Sequence, residues 1–165
     1  MSPLTSRKSI VEEVMSAPVR VVEQGSTLRD AAMVLSAARV SGAPVVDSKG
    51  QAVGMVTEAD LLRIFQKQAA LAKVVPVPGF AGVLTVLSLE EVRKDVLETF
   101  DTMQVSRAMS SPVVATTPET PLDDAAAEMI DRKVNRLPVL VGGKIVGIIS
   151  RHDIVRALAR LGPGR

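Results

Sequence analysis

Two stretches of this 165-residue chain spell nearly the same order of residues, offset by about 94 positions. Val11-Glu-Glu-Val-Met-Ser-Ala-Pro-Val19 matches Val105-Ser-Arg-Ala-Met-Ser-Ser-Pro-Val113, and Leu28-Arg-Asp-Ala-Ala32 matches Leu122-Asp-Asp-Ala-Ala126. Val40-Ser-Gly-Ala-Pro-Val45 matches Val134-Asn-Arg-Leu-Pro-Val139. After a one-residue deletion, Val53-Gly-Met-Val-Thr-Glu-Ala-Asp60 falls on Val146-Gly-Ile-Ile-Ser-Arg-His-Asp153. A unit of roughly 50 residues is near the lower limit for an independent core, so the two copies are expected to bury surface together.

Each copy reads as β-α-β-β-α. A short strand (19–22, or 113–116) precedes a helix whose buried stripe in copy one is Ala31, Ala32, Leu35 and Ala38. Ser26 or Thr27 caps that helix in copy one. In copy two Thr120 is the predicted N-cap, Pro121 the first helical residue, and Asp123 and Asp124 lie in the first turn. Two strands follow around a tight turn: 43–46 and 52–56 in copy one, 137–141 and 144–149 in copy two. A second helix starts near Glu58 and near Arg151. The predicted fold class is α/β (α+β), with the two repeats packed sheet to sheet in pseudo-twofold symmetry.

Composition removes several function classes. Hydrophobic residues are 47% and charged residues 23%, which is globular rather than disordered. There is no cysteine, which excludes disulfides, thiolate metal sites and cysteine catalysis. One histidine, His152, excludes a zinc site built on paired histidines. With Trp and Tyr absent there is no stacking platform for single-stranded nucleic acid, and a net charge of +2 does not call for a duplex. No run approaches the ~20 apolar residues of a membrane span. The opening residues 1–8 do not read as a signal peptide, and a cytoplasmic location is expected. No clustered acid/base set is visible, so the chain is expected not to be an enzyme and to carry no cofactor or metal.

The order Val-x-x-x-Met-Ser-x-Pro-Val, Leu-x-Asp-Ala-Ala, Pro-Val, Gly-hydrophobic-hydrophobic-Thr/Ser-x-x-Asp, present twice, resembles the CBS domain, and its tandem form resembles a Bateman module. The resemblance implies a regulatory module that binds an adenine-containing ligand (AMP, ADP, ATP, S-adenosylmethionine or sometimes NAD) in a cleft between the repeats. It implies that Thr57 and Asp60 serve one site and Ser150 and Asp153 the other, each Asp taking ribose hydroxyls. It further implies that Ser41, Gly42 and Ala43 present backbone to adenine opposite Ser150 and Asp153. Asn135, Arg136 and Leu137 would do so opposite Thr57 and Asp60. Arg136 matches a position that contacts phosphate in some relatives, and copy one has Gly42 there. Homodimerisation and signalling to an unidentified effector protein are also family expectations.

Bottom-up chemistry leaves two readings of Thr/Ser-x-x-Asp. An ionised carboxylate can accept both hydroxyls of a cis-diol, and a helix N-terminus favours phosphate. The same spelling is close to a capping box, which alone accounts for every residue in it. Arg39 and Lys133, at matched ends of the first helix, read as partners of the helix C-terminus. His152 reads as an exposed first-turn residue, and Gly142-Gly143 as a hairpin turn rather than a phosphate loop.

The chain divides by sequence into a flexible 1–10, repeat one at 11–68, an insert at 69–104, repeat two at 105–161 and a tail at 162–165. Within the insert, 69–87 reads as loop or short strand. Ser88-Leu-Glu-Glu91 reads as a capping box opening a helix with Leu89, Val92, Val96, Phe100 and Met103 on one face. That face either packs on its own module or docks a second copy or partner. The function expected is a stand-alone adenine-nucleotide sensor. The alternative is a ligand-free scaffold whose motifs only cap helices.

Overall fold

The structure, a computed structural model, describes residues 9–71, 75–76, 84–85 and 89–160. Its elements run β1 (Val22–Glu23), α1 (Leu28–Ala38), β2 (Gly42–Val46), β3 (Ala52–Thr57) and α2 (Glu58–Leu71) through copy one. The insert holds β4 (Val75–Pro76), β5 (Leu84–Thr85) and α3 (Leu89–Thr102). Copy two holds α4 (Leu122–Asp131), β6 (Arg136–Val141), β7 (Lys144–Ser150) and α5 (Arg151–Arg160). The mixed helix-and-strand class read from the sequence is therefore present.

The first strand is shorter than predicted. Only Val22 and Glu23 pair, in parallel with Val45 and Val46, and β2 lies between β1 and β3. In copy two the matching segment makes an isolated parallel bridge, Thr116 with Val139, so 113–116 is not a strand. The α4 cap also differs from expectation. Pro121, not Thr120, is the N-cap, and the Thr120 hydroxyl sits 3.1 Å from that of Thr117. In copy one Thr27 is the cap: its hydroxyl accepts from the Asp30 N–H and its own N–H donates to the Asp30 carboxylate. Arg39 and Lys133 both adopt left-handed backbone, at φ 53° and 55°, so their shared role is to end the first helix of each copy.

The chain separates into two units, each discontinuous in sequence. Unit one comprises Met1–Val19, Gly50–Ala52 and Pro112–Arg165; unit two comprises Arg20–Lys49 and Val53–Ser111. The opening segment of each copy thus folds into the unit of the other copy. In unit one Ser16 and Ile148 exchange backbone hydrogen bonds, at 2.9 and 3.0 Å. In unit two Ser110 and Met55 do the same, at 2.9 and 3.0 Å. Ser9 and Ile10, expected in a flexible terminus, are also tied down: the Leu122 N–H donates to the Ser9 carbonyl, and Ile10 bridges Pro121.

A matched anchor fills each unit. Val11 is fully buried with Ala125, Met129, Leu137, Val139, Ile149 and Ile154 in unit one. Val105 is fully buried with Val22, Leu28, Leu35, Val45, Val56 and Leu61 in unit two. Burial of one valine contributes about 1.5–3 kcal/mol, which adds to the backbone hydrogen bonds that hold each segment.

The insert helix α3 packs on its own unit. Val96 is buried, and Phe100 and Met103 lie against the unit-two core. Ser88 of the predicted capping box lies outside the described residues, as does most of 72–88.

Gly54 in β3 and Gly147 in β7 explain a shared letter of the two motifs. A Cβ on Gly54 would stand 2.5 Å from the Ser110 carbonyl oxygen and 2.8 Å from the Met109 sulfur. A Cβ on Gly147 would meet the Met15 sulfur. Each glycine makes room for the Met-Ser segment laid across it. Gly54→Ala is expected to destabilise by about 1–3 kcal/mol, because it strikes backbone. Gly147→Ala should cost less, because a flexible Met can move. Urea unfolding followed by circular dichroism measures the difference.

Candidate functional site

The two Thr/Ser-x-x-Asp motifs occupy the same local geometry, one in each unit. Each begins at the last residue of a hairpin strand and ends in the first turn of a helix, so strand and helix together fix its direction. In unit two Asp60 Oδ2 accepts from the Thr57 N–H at 2.9 Å and from the Thr57 hydroxyl at 2.7 Å. In unit one Asp153 Oδ2 accepts from the Ser150 N–H at 2.9 Å and from the Ser150 hydroxyl at 2.6 Å. Both aspartates are only 7% exposed, a burial that a carboxylate tolerates only when its oxygens have donors.

The other oxygen of each carboxylate has a different partner. Arg63 donates to Asp60 Oδ1 at 3.0 Å, and Arg156 donates to Asp153 Oδ1 at 2.6 Å. Both arginines are themselves exposed, with side-chain exposure of 69% and 50%. The carboxylate is therefore divided: Oδ2 belongs to the helix cap, whereas Oδ1 is held by an ion pair to an exposed arginine. Arg63 and Arg156 were not among the residues singled out from sequence. The signal was their matched position three residues past each Asp, where an arginine otherwise reads as one more solvated helix residue.

The remaining predicted residues are placed copy by copy. The Glu58 N–H donates to the Ser41 carbonyl at 3.0 Å, which sets Ser41 and Gly42 beside Thr57. The Arg151 N–H donates to the Asn135 carbonyl at 3.0 Å, and Arg136 is the register partner of Ser150. These hydrogen bonds join each strand entry to the motif of its own copy. Ala43 and Leu137 are buried in the two cores, so only their backbone can face a ligand. His152 is exposed. In unit one an opening of about 400 Å³ runs from Asp153 along α5 past Arg156 to Arg160, with Ser9, Glu13 and Val14 as its far wall. Among the described residues no three His, Asp or Glu side chains stand together as a metal site. None of the described helices is long and apolar enough to cross a membrane.

The CBS domain family model matches residues 11–67 and 105–160, and the chain belongs to that family. It carries two repeats of it. Protein MJ1426 of Methanocaldococcus jannaschii is 30% identical over 154 residues, covering 90% of each chain. The chloroplastic CBS domain-containing protein CBSX2 of Arabidopsis thaliana is 30% identical over 145 residues; the match covers 87% of this chain and 60% of that protein. The crystal structure of CBSX2 superimposes with a TM-score of 0.71 at 27% identity, covering 96% of this chain and 99% of that one. A second CBSX2 structure, in complex with AMP, gives 0.67 at 26% identity, covering 93% and 98%.

Because Oδ2 caps the helix, Asp60→Ala or Asp153→Ala is expected to lower stability by about 1–2 kcal/mol. Asn at either position keeps an acceptor for the Thr57 or Ser150 donors and should cost less than about 1 kcal/mol. Urea unfolding of the four variants separates the cap from the charge.

Proposed function

We propose that the chain is a regulatory module that binds an adenine nucleotide, with one site centred on Asp60 and the other on Asp153. The observation that carries this reading is the divided carboxylate. In both units the motif uses one oxygen to cap its helix and leaves the second under an exposed arginine. A ribose cis-diol would take Oδ1 by donating its hydroxyls, and the released arginine would turn to the phosphate. Ser41–Gly42 and Asn135–Arg136, each beside its own motif, would present backbone to adenine. Arg136 adds a cation in unit one where unit two has Gly42. The AMP complex of CBSX2 supports adenosine as the ligand core. AMP, ADP, ATP, S-adenosylmethionine and NAD are the ligands to compare. Binding shifts a conformational equilibrium only by the ligand's differential affinity for the two states, and an effector protein reads that shift. In this reading the chain itself performs no catalysis.

The first test is dye-monitored thermal unfolding, required because the chain has no Trp. A ligand at 100 times its Kd stabilises by about 2.7 kcal/mol. For a chain of this size that is a shift of about 5–10 °C. The shift should appear with AMP or a related nucleotide, shrink with the 2′-deoxy analogue, and vanish in the Asp60→Asn, Asp153→Asn double variant. A flat panel at millimolar ligand would favour the scaffold reading, which the complete helix-cap geometry of Oδ2 supports.

The module is also proposed to be a homodimer. Leu62 and Phe65 on α2 are 65% and 50% exposed, and their repeat partners Val155 and Leu158 on α5 are 61% and 59% exposed. The same apolar pair left uncovered on both copies suits an isologous interface. In unit two Phe65 joins Met33 and Leu97 around an open groove of about 600 Å³. Sedimentation velocity should show a dimer for the wild type and a monomer for the Leu62→Glu, Val155→Glu variant; a monomeric wild type would exclude this part.

A further inference from the structure

The two sites, similar at the aspartate, differ in charge at the wall opposite the helix. In unit one that wall carries Glu13, which lines the same opening as Asp153, Arg156 and Arg160. The Glu13 carboxylate accepts from the Ile10 N–H at 3.3 Å, which anchors it there. The repeat places Arg107 at the corresponding point of unit two. Three hydrogen bonds of one segment have exact counterparts in the other. The Val11 and Val105 N–H groups donate to the Thr120 and Ser26 carbonyls at 2.9 and 2.8 Å. Those of Glu12 and Ser106 donate to the Pro118 and Gln24 carbonyls at 2.9 and 3.2 Å. The Ser9 and Met103 carbonyls accept from the Leu122 and Leu28 N–H groups, both at 3.0 Å. With the backbones so alike, the residue that follows each 106/12 position sits at the same place. The helix side matches in charge, Arg156 and Arg160 against Arg63 and Lys67. The first helical residues, Arg151 and Glu58, also differ. Arg151, however, does not line the opening, and its guanidinium is directed to the Met129 carbonyl at 3.5 Å.

We infer that residues 13 and 107 set which ligand charge each site accepts: Arg107 makes the Asp60 site select polyphosphate, and Glu13 makes the Asp153 site discriminate against it. The inference rests on the nucleotide reading above and deepens it. The opening in unit one runs from Asp153 along the helix, so a ribose held at Oδ1 would place its 5′ substituent toward the residues one and two turns on, which share the aspartate's face. In unit two that substituent meets Arg63, Lys67 and Arg107, all cationic. In unit one it meets Arg156 and Arg160 with Glu13 opposing them; Arg136, on the adenine side of the motif, does not line that opening. A like charge in a partly enclosed wall raises the cost of each added phosphate, while an uncharged 5′ group is indifferent to it.

Calorimetric titration of the full chain with ATP and with adenosine, in magnesium-free, low-salt buffer, tests this. Asp60→Ala leaves the unit-one site and Asp153→Ala leaves the unit-two site. The ratio of ATP to adenosine affinity should be at least about tenfold higher in Asp153→Ala than in Asp60→Ala. Glu13→Gln keeps an acceptor for Ile10; in the Asp60→Ala background it should raise ATP affinity at least about fivefold and leave adenosine within about twofold. Arg107→Gln in the Asp153→Ala background should lower ATP affinity by a like factor. Equal ratios in the two backgrounds, or exchanges that move ATP and adenosine together, would overturn the inference while leaving nucleotide binding in place. Wild-type protein that binds neither compound would overturn both, and that result appears before any variant is made.

Discussion

The rest of the structure depends on a short backbone exchange: Ser16 with Ile148 in one unit and Ser110 with Met55 in the other. Each exchange lays the opening segment of one copy along the hairpin of the other. Valines 11 and 105 then complete cores that a single repeat lacks. This is how units of marginal size become stable, since every core contains chain from both ends of the duplication. The glycines of the Val-Gly motif and the methionines of the Met-Ser motif serve that one contact, Gly54 beneath Met109 and Gly147 beneath Met15.

The proposed site follows from the hairpin that this contact supports. Strands β3 and β7 deliver Thr57 and Ser150 to the start of a helix, and the aspartate three residues later folds back onto them. The capping and ligand readings of the motif, alternatives at the level of spelling, occupy different oxygen atoms of the same carboxylate. Capping holds Oδ2 in a fixed direction, and in the proposed function that rigidity would orient Oδ1 for a ligand.

Much of the fold was legible because local chemistry decided it. Ser26-Thr27 spelled a helix start, with Thr27 the cap the structure selects, and Gly142-Gly143, both at positive φ, spelled a hairpin turn. What was not legible was which copy each Met-Ser segment joins. Met15 fits Gly54 and Gly147 equally by spelling, because the repeats share both motifs, and only three-dimensional folding selects Gly147. The α4 cap was misread because Thr120 has the right residue type but spends its hydroxyl on Thr117. At the site, Asp60 and Asp153 stood out by their repeated motif. Arg63 and Arg156 did not, since exposed arginine at helical spacing carries no local signal until its partner's burial is known.

The divided carboxylate is the central claim, and a crystal structure of the chain grown with AMP tests it most directly. The account expects ribose hydroxyls on Oδ1 of Asp60 or Asp153, Oδ2 still held by Thr57 or Ser150, and the arginine turned from the carboxylate to the phosphate. AMP bound elsewhere, or seated with the arginine–Oδ1 pair intact and its ribose facing solvent, would contradict it.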